Sequence, residues 1–441
     1  MSTEVFCDTT QELPTYFPFE GNGVFEAEIQ NSLSEKERKQ RITDNIQIIL
    51  QEQSSIGLFR ASVKEQSHKE GHYDTCAWVR DNSILGIALS DPYLRDILDP
   101  EIYYQAVEAS RRNARIILDM FASPRWQKAF KQKIYQARDT NGILHTYIEH
   151  PSAAPAIHIK EDTTYCNWFA QNQPDSLGTF IILLHQLRKY HKFNFGKEGQ
   201  SAVDSTLLYL SKIHIEMFKC IGMWEGREVY SPTPTSTIAI VARALELGVA
   251  LTHDPRLISR VKKSAFMARD MADKLYPGES TAPEGHSGVD LATLVSMGLK
   301  AIDQNPLRFL TRSYKDLWSM HPLGMKRYTN DHFFREGNDN GQEAIWFFAL
   351  PIKATLFYRR SIYMYENGSV KLARRYFEAG ERELQQALSL IRKYGKGPEL
   401  FQKNQNNISL TPNINDLLWS RAEVIRALGV SIRARRLMLA S

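Results

Sequence analysis

Long apolar runs are missing from this sequence. No stretch approaches the ~20 consecutive apolar residues that a bilayer span requires, so no membrane partner is expected. The opening residues, MSTEVFCDTTQELP, hold neither a basic start nor an apolar segment, so no secretory leader is expected. Cysteine is scarce too. Cys7, Cys76, Cys166 and Cys220 show no short metal-ligand spacing and no dense disulfide pattern, which points to reduced thiols and a cytoplasmic protein. His145, His150 and His158 surround a proline-containing loop at spacings that match no ligand motif, so neither metal nor cofactor is expected.

An excess of one charge is also lacking. The 55 Lys and Arg residues against 50 Asp and Glu leave only +5, and the basic side chains are scattered along helix-like stretches rather than clustered with aromatics. A nucleic-acid partner is not implied. Strand signals are sparse, with Gly142 to Ile148 (GILHTYI) the best, read as part of a small hairpin.

What is present is helical period, segment after segment: roughly 34–53, 99–123, 174–191, 201–220, 235–251, 255–275, 289–301, 305–318, 341–365, 369–393 and 413–437, with a shorter helix after Asp81. In 369–393, Leu372, Tyr376, Gly380, Leu384, Ala387 and Ile391 recur by threes and fours while Arg374, Arg375, Glu381 and Gln386 take other positions. This is the pattern of an amphipathic outer helix. The segment TSTIAIVARALELGVAL, 235–251, is apolar nearly all round except Arg243 and Glu246, so it should be buried on most sides. Alternation of the two kinds, with no glycine- or serine-rich linker, predicts an all-α fold with two concentric layers, an (α/α)6 barrel, rather than a solenoid of fixed-length repeats. Residues 1–32 read as an N-terminal extension and 33–441 as a single domain.

Five connections mix carboxylates, amides or arginine with aromatics: YDTCAWVRDN (73–82), CNWFAQNQPDSLG (166–178), GMWEGREVYSPTPTS (222–236), GMKRYTNDHFFREGNDNGQEAIWFF (324–348) and KGPELFQKNQNN (396–407). Singly, each is an aromatic packed beside a solvated charge. Together, at the entrances to inner helices that start at one end, they supply what a carbohydrate pocket needs. Aromatic rings pack on the apolar faces of sugars, and carboxylate, amide and guanidinium groups hydrogen-bond hydroxyls.

Trp78-Val79-Arg80-Asp81 resembles the WxRD signature of glycoside hydrolase family 15, the glucoamylases, and of the related N-terminal region of phosphorylase kinase α and β subunits. Further segments match in the same order: WFAQNQPDSLG, MWEGREVYSPTPTS, SGVDLATLV with Asp290, KRYTND, IWFF and PNINDLLWSRAEVIRAL. The resemblance spans residues about 55 to 430 and by itself implies an (α/α)6 barrel. Without the β-sandwich that many bacterial members carry in front, it implies a bare catalytic domain.

The resemblance implies an inverting, exo-acting α-glucosidase that releases glucose from the non-reducing ends of α-glucans or malto- or isomalto-oligosaccharides, with such a saccharide as its partner. It makes Glu225 the general acid, which Met223, Trp224 and Tyr230 would help to keep protonated; the plain alternative is a solvated glutamate paired with Arg227. It makes Glu399 the general base, with Glu343 and Glu423 as alternatives, Glu423 otherwise reading as a helix-surface residue. Arg80 and Asp81 correspond to the pair that holds the outer hydroxyls of a terminal glucose, with Asp175 and Arg327 as further substrate-binding groups. Trp78, Trp168, Trp224 and Trp346 correspond to pocket walls, Trp346 reading equally as a core residue. The replacement of the family's basic loop by QNQPD bears on the second subsite. Two other readings stay open: a non-catalytic carbohydrate-binding or regulatory module, and a trehalose hydrolase.

Overall fold

The computed structural model describes residues 33–63, 76–149, 158–160, 173–218, 220, 222–223, 233–279, 290–315, 320–327, 343–404, 407–410 and 416–439. The expected extension 1–32 lies outside the described residues. In chain order the helices are α1 (Glu35–Gln51), α2 (Val79–Leu89), α3 (Pro100–Ala122), α4 (Pro124–Lys131), α5 (Pro174–His191), α6 (Gly196–Lys212) and α7 (Thr235–Gly248). They continue with α8 (Pro255–Leu275), α9 (Leu291–Gly298), α10 (Pro306–Lys315), α11 (Ala349–Glu366), α12 (Val370–Tyr394) and α13 (Leu418–Leu439).

Six of these are buried over most of their surface: α2, α5, α7, α9, α11 and α13. Each packs on the next, and α13 closes back on α2. The result is an inner ring. Helices α1, α3, α8 and α12 bury a single stripe and lie outside it, α1 on α13, α3 on α2, α8 on α7 and α12 on α11. The expected all-α toroid of two helical layers is thus observed.

Helices buried on all sides face a polar-group problem that this sequence solves locally. The hydroxyls of Thr179, Ser296 and Thr355 each donate to the carbonyl four residues back, at 2.8, 2.9 and 2.9 Å, so no buried donor is stranded there. Close approach of α2 and α5 depends on Gly86, where a Cβ would fall 2.8 Å from a Leu183 methyl. Layers are also tied by charge. Arg38 of α1 reaches Glu381 of α12 and Ser431 of α13, both at 2.7 Å, while the Tyr358 hydroxyl of α11 donates to the same glutamate at 2.7 Å. Removing one member of such a buried set costs roughly 3–5 kcal/mol.

The departures from expectation are informative. Segment 341–365 is not one helix: β7 (Glu343–Trp346) precedes α11. The run AIWFFALP is apolar throughout, so helical and extended readings bury it equally well, and strand pairing decides. Register runs from Glu343 opposite Lys403 to Trp346 opposite Leu400 in β8 (Leu400–Asn404), part of the stretch expected as a loop. With β5 (Met320–His321), β6 (Gly324–Met325) and β9 (Asn407–Leu410) these strands form a five-stranded antiparallel sheet in order β5-β6-β7-β8-β9. The helix expected over 201–220 runs instead over Gly196–Lys212, followed by a 3-10 turn at Ile215–Met217. The hairpin is present, β2 (Ile134–Arg138) pairing with β3 (Leu144–Ile148), and β1 (Cys76–Trp78) pairs with β4 (His158–Lys160). No helix among the described residues is long and apolar enough to cross a membrane.

Candidate active site

The inner helices begin at one end of the ring, and their first turns hold the polar residues singled out in the sequence. Trp78 precedes α2, whose first turn carries Arg80 and Asp81. The turn is set by Asn82, whose amide oxygen accepts from the Phe59 backbone amide at 2.8 Å and whose nitrogen donates to the Phe59 carbonyl at 2.9 Å. Both charges are nearly out of solvent, Arg80 6% and Asp81 7% exposed.

Asp175, in the first turn of α5, is fully buried. Arg80 links the two acids: its Nε lies 3.4 Å from Asp81 Oδ1 and its Nη1 lies 3.5 Å from Asp175 Oδ2 and 3.4 Å from Gln173 Oε1, with a further bond to the Met223 carbonyl. Burial pushes both carboxyls above the usual carboxylate range, opposed by Arg80. Among the described residues, Asp81 Oδ1, Asp175 Oδ1 and Gln173 Nε2 are buried without a hydrogen bond. Such groups cost free energy unless a ligand or water meets them.

An aromatic wall continues from this cluster. The Arg80 guanidinium lies 5.6 Å from the Trp419 ring centre; Trp419, in the first turn of α13, stacks on Phe348 at 4.7 Å and 16°; and Phe348 meets Trp346 at 5.8 Å and 66°. Arg327 then sits 4.6 Å from the Trp346 ring centre. Arg327 is 5% exposed, and its carbonyl accepts from Leu291 at the start of α9. Asp290 caps that helix by accepting from Ala292 N at 2.7 Å. The chain from Arg80 to Arg327 therefore joins the entrances of α2, α13, α11 and α9.

Glu399 enters at the same place. It precedes Leu400, which pairs with Trp346, and its carbonyl accepts from Phe347 N at 3.0 Å. The preceding turn is pinned to α13: Gly397 N donates to Asp416 Oδ1 at 2.9 Å, Leu417 N to Gly397 O at 2.9 Å, and Ser420 Oγ to Pro398 O at 2.8 Å. Asp416 is itself paired with Arg421. Glu399 is 5% exposed.

Glu225, Trp224 and Trp168 lie outside the described residues. Trp78 is buried at the head of α2. Of the alternative bases, Glu423 is not on the helix surface. It is 1% exposed, bonded to Arg426 at 2.9 and 2.8 Å and to the Trp419 indole at 3.2 Å. Glu343 heads β7. Among the described residues, no group of three or more potential metal ligands occurs.

Sequence reasoning gave Trp419 and Gln173 no role, although both stood inside quoted motifs. It also passed over Glu279. That carboxyl is 2% exposed, bonds Ser236 at the start of α7 and Thr293 at the start of α9, and is raised well above its ordinary pKa by burial and then by Asp290. Its carbonyl accepts from Thr235 N at 2.7 Å. Since α7 has no side-chain cap of its own, Glu279 caps it from 43 residues away. No local sequence pattern signals that.

An α/α toroid whose helix entrances gather a buried Arg, two carboxyls and an aromatic wall is the arrangement defined by these residues. Its fold is that of solved glycosidases. A glucoamylase from Saccharomycopsis fibuligera superposes with a TM-score of 0.65 at 13% identity, covering 92% of this chain and 98% of that one. A structure described as wild-type glycosidase gives 0.60 at 14%, covering 91% and 97%. A bacterial glucoamylase complexed with acarbose gives 0.52 at 15%, covering 90% of this chain and 56% of the other. The sequence matches no protein-family profile. No curated protein sequence matches it either.

Proposed function

We propose that this protein is a glycoside hydrolase of the glucoamylase type, an inverting exo-acting α-glucosidase that takes a terminal glucosyl unit of an α-glucan or short oligosaccharide. The reading rests on one observation above others: Arg80, Asp81, Asp175 and Gln173 form a buried polar cluster at the helix entrances, with three polar atoms that make no hydrogen bond among the described residues. Sugar hydroxyls, each both donor and acceptor, are suited to satisfy acceptors and a donor set side by side. Trp419, Phe348 and Trp346 would supply the apolar faces that pyranose rings prefer.

In this reading Glu225 protonates the departing oxygen and Glu399 activates water on the opposite face. The buried setting of Glu399 between β7 and α13 fits a carboxyl held in a fixed orientation. Trp78, Trp168 and Trp224 complete the pocket walls, and Arg327 binds the sugar beside Trp346. Residues 33–441 then act as one catalytic domain. Incubating the purified protein with maltose, isomaltose, maltodextrin and trehalose, and measuring released glucose, tests this. Release from maltodextrin or isomaltose supports it; trehalose alone redirects it to a trehalose hydrolase. Binding of these sugars without any glucose release would leave a non-catalytic carbohydrate-binding module.

A further inference from the structure

Glu225 stands in the connection between Met223 and Thr233, and both ends of that connection are tied to residues remote in sequence. At one end the Met223 carbonyl accepts from Arg80 of the buried cluster. At the other the Thr233 hydroxyl donates to the Phe218 carbonyl, and the first turn of α7 then rests on Glu279. Thr235 N and Oγ1 donate to the Glu279 carbonyl at 2.7 and 2.9 Å, Ser236 N donates to its Oε1 at 3.3 Å, and the Ser236 hydroxyl bonds the same oxygen.

A helix entrance can be capped more simply. A Ser, Thr, Asp or Asn before the first turn contributes about 1 kcal/mol, but Pro234 holds that position in α7 and offers no side-chain acceptor. Thr235 N and Ser236 N would otherwise be buried donors without partners. Glu279 meets both, and its other carboxyl oxygen bonds the Thr293 hydroxyl in the first turn of α9. Among the described residues that carboxyl pairs with no cation; its partners are hydroxyls and an amide. The start of α9 in turn holds Arg327, whose carbonyl accepts from Leu291 N at 2.9 Å. One side chain thus sets the entrance of α7 against that of α9.

We infer that Glu279 is a positioning residue for the acid, fixing the far stem of the Glu225 connection against the α9 entrance and Arg327. The role rests on the reading of Glu225 as the general acid. A carboxyl gives its proton to the departing oxygen only from the right place, and a displacement of about 1 Å can cost about 10²-fold in rate. A local cap would steady α7 alone. A cap drawn from residue 279 steadies the acid's stem relative to the neighbouring helix entrance, as Arg80 does at Met223.

The leaving group separates this role from plain scaffolding. Fluoride departs with little help from an acid, whereas a sugar alkoxide needs a proton, so α-glucosyl fluoride reports on the site without its acid. Glu279→Ala should lower kcat on maltodextrin by about 10²-fold, with KM little changed and α-glucosyl fluoride slowed far less. Glu279→Gln keeps the shape and the bonds to both helices, and should restore most of the rate. Ser236→Ala removes one of those bonds and no charge; it should show the same split at smaller size and serves if the alanine variant at 279 does not fold. Equal slowing on the two substrates, or an unchanged kcat, would overturn the proposal and leave Glu279 a scaffold residue. Glu225→Gln is the control for the acid, with a loss confined to maltodextrin in the same way. Without that split the assignment of Glu225 falls, and the positioning role with it; an unaltered protein that hydrolyses neither substrate would remove both.

Discussion

The backbone amide of Phe347 donates to the carbonyl of Glu399 across 3.0 Å, so the candidate base is fixed to the entrance of an inner helix rather than carried on a free loop. Its position is shared with Trp346, opposite Leu400 in the sheet. Glu399→Gln keeps the volume and the backbone bond while removing the base. We expect hydrolysis to fall by at least about 10²–10⁴ with an unchanged circular dichroism spectrum. Glu225→Gln should do the same. Retention of full activity in either variant would remove that residue from the mechanism.

Asp81 and Asp175 share Arg80. Asp81→Ala removes the acceptor 3.4 Å from Arg80 Nε, yet leaves Asp175 and the Met223 carbonyl in place. The loss of stability should therefore be below the roughly 3–5 kcal/mol of a fully orphaned buried charge, while glucose recognition is lost. Urea denaturation and a sugar-binding titration read the two effects separately. Undiminished sugar binding would return Trp78 to Asp81 to a purely structural role.

Burial of the Glu279 carboxyl ties stability to pH. Its pKa is raised from the model-compound 4.5 in the folded protein, so the folded state holds a proton that the unfolded chain releases first. Its contribution to stability is fully present below about pH 4.5 and declines as pH rises toward the folded pKa. Asp81, Asp91 and Asp175 are shifted the same way, so the comparison needs a variant. Glu279→Gln should flatten the decline that sets in above about pH 4.5, without lowering neutral-pH stability. Denaturant midpoints across that range check it, and parallel curves for the two proteins would show that Glu279 carries no such proton.

Gly324 lies at φ +154°, and a Cβ there would fall 2.0 Å from the Trp346 carbonyl oxygen. No rotamer change relieves a clash with backbone. Gly324→Ala should part β6 from β7, shifting Arg327 and Trp346. A stability loss of about 1–3 kcal/mol and weakened sugar binding are expected, from thermal unfolding and the same titration.

The layer order was legible because burial leaves a period. The segment 235–251 reads as apolar nearly all round and becomes the inner helix α7, and 369–393 reads as one-sided and becomes the outer helix α12. The sheet was not legible. The stretch from Ala344 to Pro351 is apolar in either conformation, and β8 joins the buried Leu400 and Phe401 to a polar Gln-Lys-Asn end, so the central β7–β8 pairing, between segments more than fifty residues apart, had no local signal. The site divides likewise. Arg80 and Asp81 stood out as an ion pair beside an aromatic, whereas Trp419 was given no role, since its stacking on Phe348 joins neighbouring helices far apart in sequence.

If Glu399 directs water at the anomeric carbon from the face opposite Glu225, a single displacement occurs, no glycosyl-enzyme forms, and an α-linked substrate yields β-glucose first. The two carboxyls should then stand about 6.5–9.5 Å apart in a substrate-bound crystal structure, wide enough for the water; a retaining pair would stand about 5–5.5 Å apart. Proton NMR of the anomeric signals in the first minutes of reaction separates the cases before mutarotation mixes them. Initial β-glucose fits a base lodged where β7 meets α13. Initial α-glucose would instead require one carboxylate close enough to attack the sugar itself, and Glu399 would lose its assignment as the base.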